Sequence, residues 1–452
     1  MALVEAVIRE LRKKVMLNSL AKANRNNEHD TKKIVIEMSA LRAQRAKLFG
    51  LNSHAEWVME VNTSKNPKNV HAMLRQIAPA AVRNAKAEAA DLQAAIGSEF
   101  ELASWDWDLY TEKVRLAKYD IDTAAMRPYF ELERVLKDGV FFAASTLFGI
   151  NFTPRPDLQA YHPEARVWEV KNTDGSAVGL FIGDFYTRDS KRGGAWMNNL
   201  VDQSHLLGQL PVVVNNLNIV KPSQGQPTLL SLDFTRTLFH EFGHAIHGLL
   251  SQVKYPRVSG TSVQRDFVEF PSQVNEMWIL WPEVVENYAR HHETGEKLPQ
   301  EWIDNLNAAR TFNEGHATTS YLAAAVLDLA WHSLNIEQAS KVTDVEAFEA
   351  QAIKDYGLDF PPVPTRYRST YFSHIFAGGY SSGYYGYIWS EVLDADTVDW
   401  FKENGGLKRE NGEHFKNTLL GRGGSIDSMQ MFRNFRGRDS KIEPLLKRRG
   451  LL

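Results

Sequence analysis

The chain has 452 residues and a formal charge of −3, with acidic and basic residues interspersed, so it lacks the electrostatic footprint of a nucleic-acid or anionic-membrane binder. It contains no cysteine, which excludes disulfides, thiolate nucleophiles and Cys-based zinc sites together and leaves any metal to histidines and carboxylates. No apolar run reaches the ~18 residues a transmembrane helix needs, and the N-terminal MALVEAVIRELRKKVMLNSL carries Glu5, Arg9, Glu10 and Arg12 where a secretory signal needs an apolar core. A cytoplasmic protein with soluble partners is therefore expected, either built of several domains or closed around one cleft.

Residues 1 to about 150 read as a helical region. Amphipathic stretches such as KKIVIEMSALRAQRAKL and AMLRQIAPAAVRNAKAEAADLQAAI are broken at Asn52 and Ser53, at Lys65 to Lys68, at Gly97, and at Arg127 and Pro128. Trp105 and Trp107 read as core anchors at a helix start rather than as a substrate-stacking pair. After Gly149 the period changes to two. RVWEVKNTDGSAVGLFIGDFYTR predicts two strands joined at Thr173 to Ser176, and GGAWMNNLV and PVVVNNLNIVKP complete a small sheet over 165–221. GGAWMNN is a candidate edge strand for an extended peptide, or an ordinary covered edge.

The sheet leads into SLDFTRTLFHEFGHAIHGLLSQ, which predicts an amphipathic helix over 233–252 with Ser231 and Asp233 as candidate N-caps. The 3.6-residue turn places His240 and His244 on one face, with Glu241 about 100° round from His240. Gly243 in the helix interior costs about 0.8–1 kcal/mol against Ala, which points to close approach of another group. Further on, SGTSVQRDFVEFPSQVNEMWILW carries Glu269, with Asp266 before it and Glu276 on the same helical face after it. His316 and His332, in the helical stretch that follows, read as packing histidines. In YRSTYFSHIFAGGYSSGYYGYIWSEVL the glycines allow tight turns, and Tyr380, Tyr384, Tyr385 and Tyr387 carry phenols. Residues 374–387 are thus either a loop that closes over substrate or a packed turn.

His240, His244 and Glu269 supply two nitrogens and a carboxylate for one Zn²⁺ ion, leaving a fourth position open as in zinc hydrolases. Glu241 is placed to act as general base towards an activated water. Asp266 and Glu276 are the acids available to orient the two histidines. Cobalt or manganese would suit the same ligands.

FHEFGHAIHGL, SGTSVQRDFVEFPSQVNE and SHIFAGGYSSGYYGYIWSE together resemble the M3 family of zinc metallopeptidases, the thimet oligopeptidase group. GDFYTRDSKRGGAWMNNLVDQS, PPVPTRYRSTYFSHIFAGGY and LLKRRGLL extend the likeness over nearly the whole chain and bring it nearest the bacterial peptidyl-dipeptidase branch. The resemblance implies a mainly α, two-lobed zincin-type fold with a small sheet beside the H-E-x-x-H helix and a deep channel that admits short peptides. Residues 1–150 would form part of the channel wall and 151–452 the catalytic region. It assigns His240, His244 and Glu269 to zinc, Glu241 to the base and Tyr387 to oxyanion stabilisation, with Tyr380 and His374 contacting substrate; Tyr384 is a further candidate for substrate binding. Release of C-terminal dipeptides requires a grip on a free carboxylate, for which Arg265, Arg366 and Arg368 are candidates. The other readings are an endo-acting oligopeptidase with the same site and a catalytically weak peptide-binding protein. Family members usually carry a further helical portion before the point matching residue 1. Without it the metal site is still expected to assemble, while a shortened wall would admit longer peptides, expose an apolar face that pairs monomers into dimers, or lower activity.

Overall fold

A computed structural model describes residues 8–120 and 122–452 of the chain; Glu5, with the start of the N-terminal amphipathic stretch, lies outside them. The chain divides into two compact units, both discontinuous in sequence. One comprises Met1–Ile121, Asn305–Ile388 and Leu445–Leu452, and the other Asp122–Asp304 and Trp389–Pro444.

The first unit is helical, and its breaks fall where local chemistry favours them. Ser53 caps helix His54–Met59 by accepting the Glu56 amide. Asn66 caps the 30-residue helix Pro67–Ile96, which starts with proline at its first position and stops at Gly97 with φ 72°. This long helix packs against helix Glu314–His332 so closely that a Cβ on Gly315 would lie 2.3 Å from the Ala85 nitrogen. Glu88 closes the contact, its carboxylate accepting the Gly315 and His316 amides at 2.8 Å each. Burial raises the Glu88 pKa to about 7 despite those two bonds. Trp107 is a core anchor: it is buried, its indole N–H donates to Asn313 Oδ1 at 2.8 Å, and its ring stacks on His316.

The second unit holds a five-stranded mixed sheet in the order β1-β2-β3-β5-β4. The strands are β1 Ile150–Pro154, β2 Arg166–Asn172, β3 Ala177–Tyr186, β4 Trp196–Val201 and β5 Val212–Ile219. The β2–β3 hairpin turns where Asp174-Gly175 predicts it, with Gly175 at φ 86°. β1 escapes the period-two reading because INFTP is short and ends in proline; it pairs with β2 at the far edge. β3 and β5 run parallel, and β4 lies antiparallel to β5 at the other edge, so GGAWMNN does contribute an edge strand.

One face of the sheet receives the helix Leu232–Leu249. Phe242 from that helix meets Phe181 of β3 edge-on at 5.2 Å, beside Phe141 and Phe152, which stack at 4.1 Å. A Cβ on Gly248 would meet Met197, Asn199 and Val213 at 2.7 to 2.9 Å, so glycine lets the helix settle against β4 and β5. Asn215, fully buried in β5, donates its side-chain amide to the Glu241 carbonyl at 2.8 Å. This contact ties the sheet to the turn of helix that carries the two histidines. Among the described residues no helix is long and apolar enough to cross a membrane.

Candidate metal centre

The helix Leu232–Leu249 starts at Ser231, whose hydroxyl accepts the Phe234 amide at 3.1 Å. Asp233 lies in its first turn, where a negative charge suits the helix dipole. His240 and His244 follow one turn apart, ring centroids 5.1 Å from each other. A second helix, Glu269–Asn275, crosses at Gly243, where a Cβ would lie 2.6 Å from Ser272 Cα and 2.8 Å from Asn275 Cβ. Only a residue without a side chain permits that crossing. Asn275 stitches it by donating to the Phe239 carbonyl at 2.6 Å.

The crossing brings Glu269 to the histidines. Its Oε2 lies 3.3 Å from His240 Nε2 and 3.2 Å from His244 Nε2, and the potential ligand atoms of the three residues all fall within 4.8 Å of one another. Behind His240, Nδ1 lies 2.8 Å from Glu276 Oε1, whose other oxygen is 3.7 Å from Arg236 Nε. Glu276 therefore sets the ring so that Nε2 faces Glu269. The structure gives His244 no such partner. Its Nδ1 is buried without a hydrogen bond, so Asp266 does not orient that ring. Asp266 is fully buried in the turn ahead of Glu269, and its carbonyl accepts from Ser390 Oγ at 2.8 Å.

The electrostatics of this cluster are those of a cation site. Burial pulls the His240 pKa down, but the hydrogen bonds to Glu269 and Glu276 outweigh it and hold His240 well above its ordinary value. Burial likewise raises Glu269, and bonds to both histidines overcome that and hold it well below the carboxylate range. The buried Glu269 and the half-buried Glu276 thus converge on the imidazole nitrogens of His240 from opposite sides. The same N, N, O donor set fits a divalent cation such as zinc. Glu241, next along the helix, is buried; its Oε2 has no hydrogen-bond partner, and burial raises its pKa, partly offset by the two histidines. His247 is fully buried one turn beyond His244, and burial together with the His244 charge lowers its pKa to about 3.

The Tyr-rich segment belongs to the first unit. Tyr380 and Tyr387 stack at 5.3 Å with their planes 14° apart, Tyr384 meets Tyr387 edge-on at 5.5 Å, and His374 lies 5.6 Å from Tyr384. Ala377 to Gly379 are exposed, while Ser382 to Gly386 are buried. The packed-turn reading therefore holds for the second half of the segment. Of the arginines, Arg265 is exposed, Arg366 lies 6.0 Å from the Tyr367 ring centre, and Arg368 is paired with Glu349 at 2.5 Å. Asn215 and Arg236 are site-supporting residues that the spacing of His and Glu does not reveal. A lone Asn pair inside the β-branched run VVVNNLNIV is the one signal for the first.

An H-E-x-x-H helix backed by a small mixed sheet, with a glutamate from the next helix closing on both histidines, defines a zincin-type metallopeptidase fold. The chain belongs to Peptidase family M3, whose profile matches residues 2–451. It is 45% identical over 453 residues to dipeptidyl carboxypeptidase of Escherichia coli (strain K12), an alignment covering 100% of this chain and 66% of that protein. Against oligopeptidase A of the same organism the identity is 35% over 431 residues, covering 93% and 62%. The chain thus spans just under two thirds of the length of the curated relatives it matches. Among solved structures, M32 carboxypeptidase from Deinococcus radiodurans R1 shares the fold with a TM-score of 0.56 at 14% identity, over 97% of this chain and 76% of that one.

Proposed function

We infer that this protein is a zinc-dependent peptidase that acts on short peptides and releases C-terminal dipeptides. The observation that carries the reading is the convergence of His240, His244 and Glu269 beside a buried Glu241 carboxylate with an unpaired oxygen. Zinc held by these three residues would supply Lewis acidity that polarises a peptide carbonyl and acidifies a water. Glu241, its pKa raised, is suited to take the proton of that water and pass it to the departing amine. Glu276 fixes the tautomer and direction of His240. Oxyanion stabilisation by Tyr387, and substrate contacts from Tyr380 and His374, rest on the family resemblance, and Tyr384, edge-on to Tyr387, is a further candidate contact.

The dipeptide-releasing mode is supported by the higher identity to dipeptidyl carboxypeptidase than to oligopeptidase A. Arg265 and Arg366 remain candidates for gripping a free C-terminal carboxylate, whereas the ion pair with Glu349 makes Arg368 the weaker one. The endo-acting mode of an oligopeptidase is the second reading, favoured by the extent of the match to oligopeptidase A. A cytoplasmic location, as monomer or dimer, completes the proposal.

Glu241→Gln tests the mechanism: peptide cleavage should fall at least 10²–10⁴-fold with metal content unchanged. Full activity of that variant would sink it. Product masses from paired substrates separate the two modes, since amidation of the C-terminus should suppress dipeptide release and spare endo cleavage.

A further inference from the structure

The second half of the Gly/Tyr segment is held by a buried polar relay that spacing arguments do not assign. Asp328, on helix Glu314–His332, is fully buried, and both its carboxylate oxygens face main-chain amides of the segment. Oδ1 accepts the Ser382 N–H at 2.7 Å and Oδ2 accepts the Tyr384 N–H at 2.8 Å. Between those two amides the chain must turn sharply, and Ser382, also fully buried, sits at φ +55°, a conformation uncommon for a residue with a side chain.

A buried carboxylate needs a counter-charge, and the relay supplies one. His332 Nδ1 donates to Asp328 Oδ1 at 2.7 Å, which leaves Nε2 to accept from Arg42 Nη1 at 2.6 Å. Arg42 Nη1 also donates to the Ile375 carbonyl at 2.8 Å, at the opposite end of the segment. His54, whose Nδ1 lies 3.2 Å from Arg45 Nη2, presents Nε2 to Ser381 Oγ at 3.0 Å. Tyr385 is anchored by Asn62 and Ser64, and Tyr321 Oη donates to the Tyr384 carbonyl at 2.6 Å. Segments distant in sequence thus converge on residues 375–385, the stretch that carries Tyr380 and leads into Tyr387, which stacks on it.

We propose that Asp328, with His332 and Arg42 behind it, is the positioning element of the Gly/Tyr segment: its carboxylate fixes the Ser382 to Tyr384 turn and through it the stance of Tyr380 and Tyr387. The part concerning catalysis rests on the proposed role of Tyr387; the part concerning the turn does not. Asp328→Asn keeps the shape but replaces one acceptor with an NH₂ group that faces an N–H donor, so the turn loses one bond and gains a repulsion.

Hydrogen-exchange mass spectrometry of residues 374–387, paired with steady-state kinetics and metal analysis, tests the proposal. In Asp328→Asn, exchange over 381–387 should accelerate, kcat should fall about 10–100-fold with KM within about twofold, and metal content should stay at the wild-type level. A residue acting through Tyr387 must also lose its effect once the phenol is gone. Asp328→Asn combined with Tyr387→Phe should then be no more than about twofold slower than Tyr387→Phe alone. Unchanged exchange, or a full multiplicative loss in the double variant, overturns the proposal. If Tyr387→Phe is itself fully active, the assignment of Tyr387 fails, and exchange alone decides whether Asp328 holds the turn. Should Asp328→Asn fail to fold, Arg42→Gln serves instead: it keeps the carboxylate and removes its counter-charge, with faster exchange over 374–387 expected and unchanged exchange overturning the claim.

Discussion

At His240 the structure resolves what two histidines and several nearby acids leave open. Asp266 and Glu276 are equally available by spacing, yet only Glu276 reaches a histidine nitrogen, because it follows Glu269 by two helical turns and so shares its face. Removing that acceptor should loosen the site. Glu276→Gln is expected to weaken metal binding about 10–100-fold, read by competition with a chelator of known affinity; unchanged affinity would show that the ring needs no support from Glu276. The pKa shifts give a pH signature in metal-free protein. Glu269 is depressed, so its contribution to stability is full above its ordinary value of 4.5 and is lost as pH falls through its folded value. His240 is raised, so its contribution is full below 6.5 and is lost as pH rises through its folded value. Both are present between 4.5 and 6.5. The difference in melting temperature between chelated wild type and chelated His240→Gln should be largest in that window and shrink on either side.

Among the elements, the crossing of helices Leu232–Leu249 and Glu269–Asn275 decides whether three ligands become one site. Gly243 is the contact point, and the obstacle a Cβ would meet is Ser272 Cα, backbone that cannot swing aside. Gly243→Ala gains about 0.8–1 kcal/mol of helix propensity but incurs overpacking of about 1–3 kcal/mol. The expected outcome is a net loss of stability in denaturant titration together with lower metal occupancy, since Glu269 must retreat from the histidines. An alanine variant with full stability and occupancy would refute this account. A glycine in mid-helix was a readable sign of close approach, but what approaches was not. The Gly/Tyr segment has the same character: its composition fits a mobile loop or a packed turn, and the choice is made by Asp328, some fifty residues earlier in the chain.

Across the molecule, the candidate metal donors and Glu276 all come from the unit containing Asp122–Asp304, between residues 240 and 276. Metal binding should therefore be a property of that unit. Substitutions in the Asp328 relay should leave the zinc titration unchanged, and removing metal with a chelator should lower the melting temperature. At a free zinc concentration 100 times the dissociation constant the stabilisation is about 2.7 kcal/mol, and a melting curve insensitive to chelator would argue against a resident ion. The sequence by itself determined the chemistry on offer: no cysteine, two histidines one helical turn apart with a glutamate between them, a third candidate ligand on a later helix, and a hairpin at Asp174-Gly175. Those features are local, set by helical and strand periods and by turn residues, and they survive in one dimension. The tertiary structure alone decided which acid orients which histidine, what meets Gly243, where β1 pairs, and which buried carboxylate grips the tyrosine turn. Each of these is a pairing between segments tens of residues apart, chosen by the packing of helices and strands and by the cost of burying a charge without a partner.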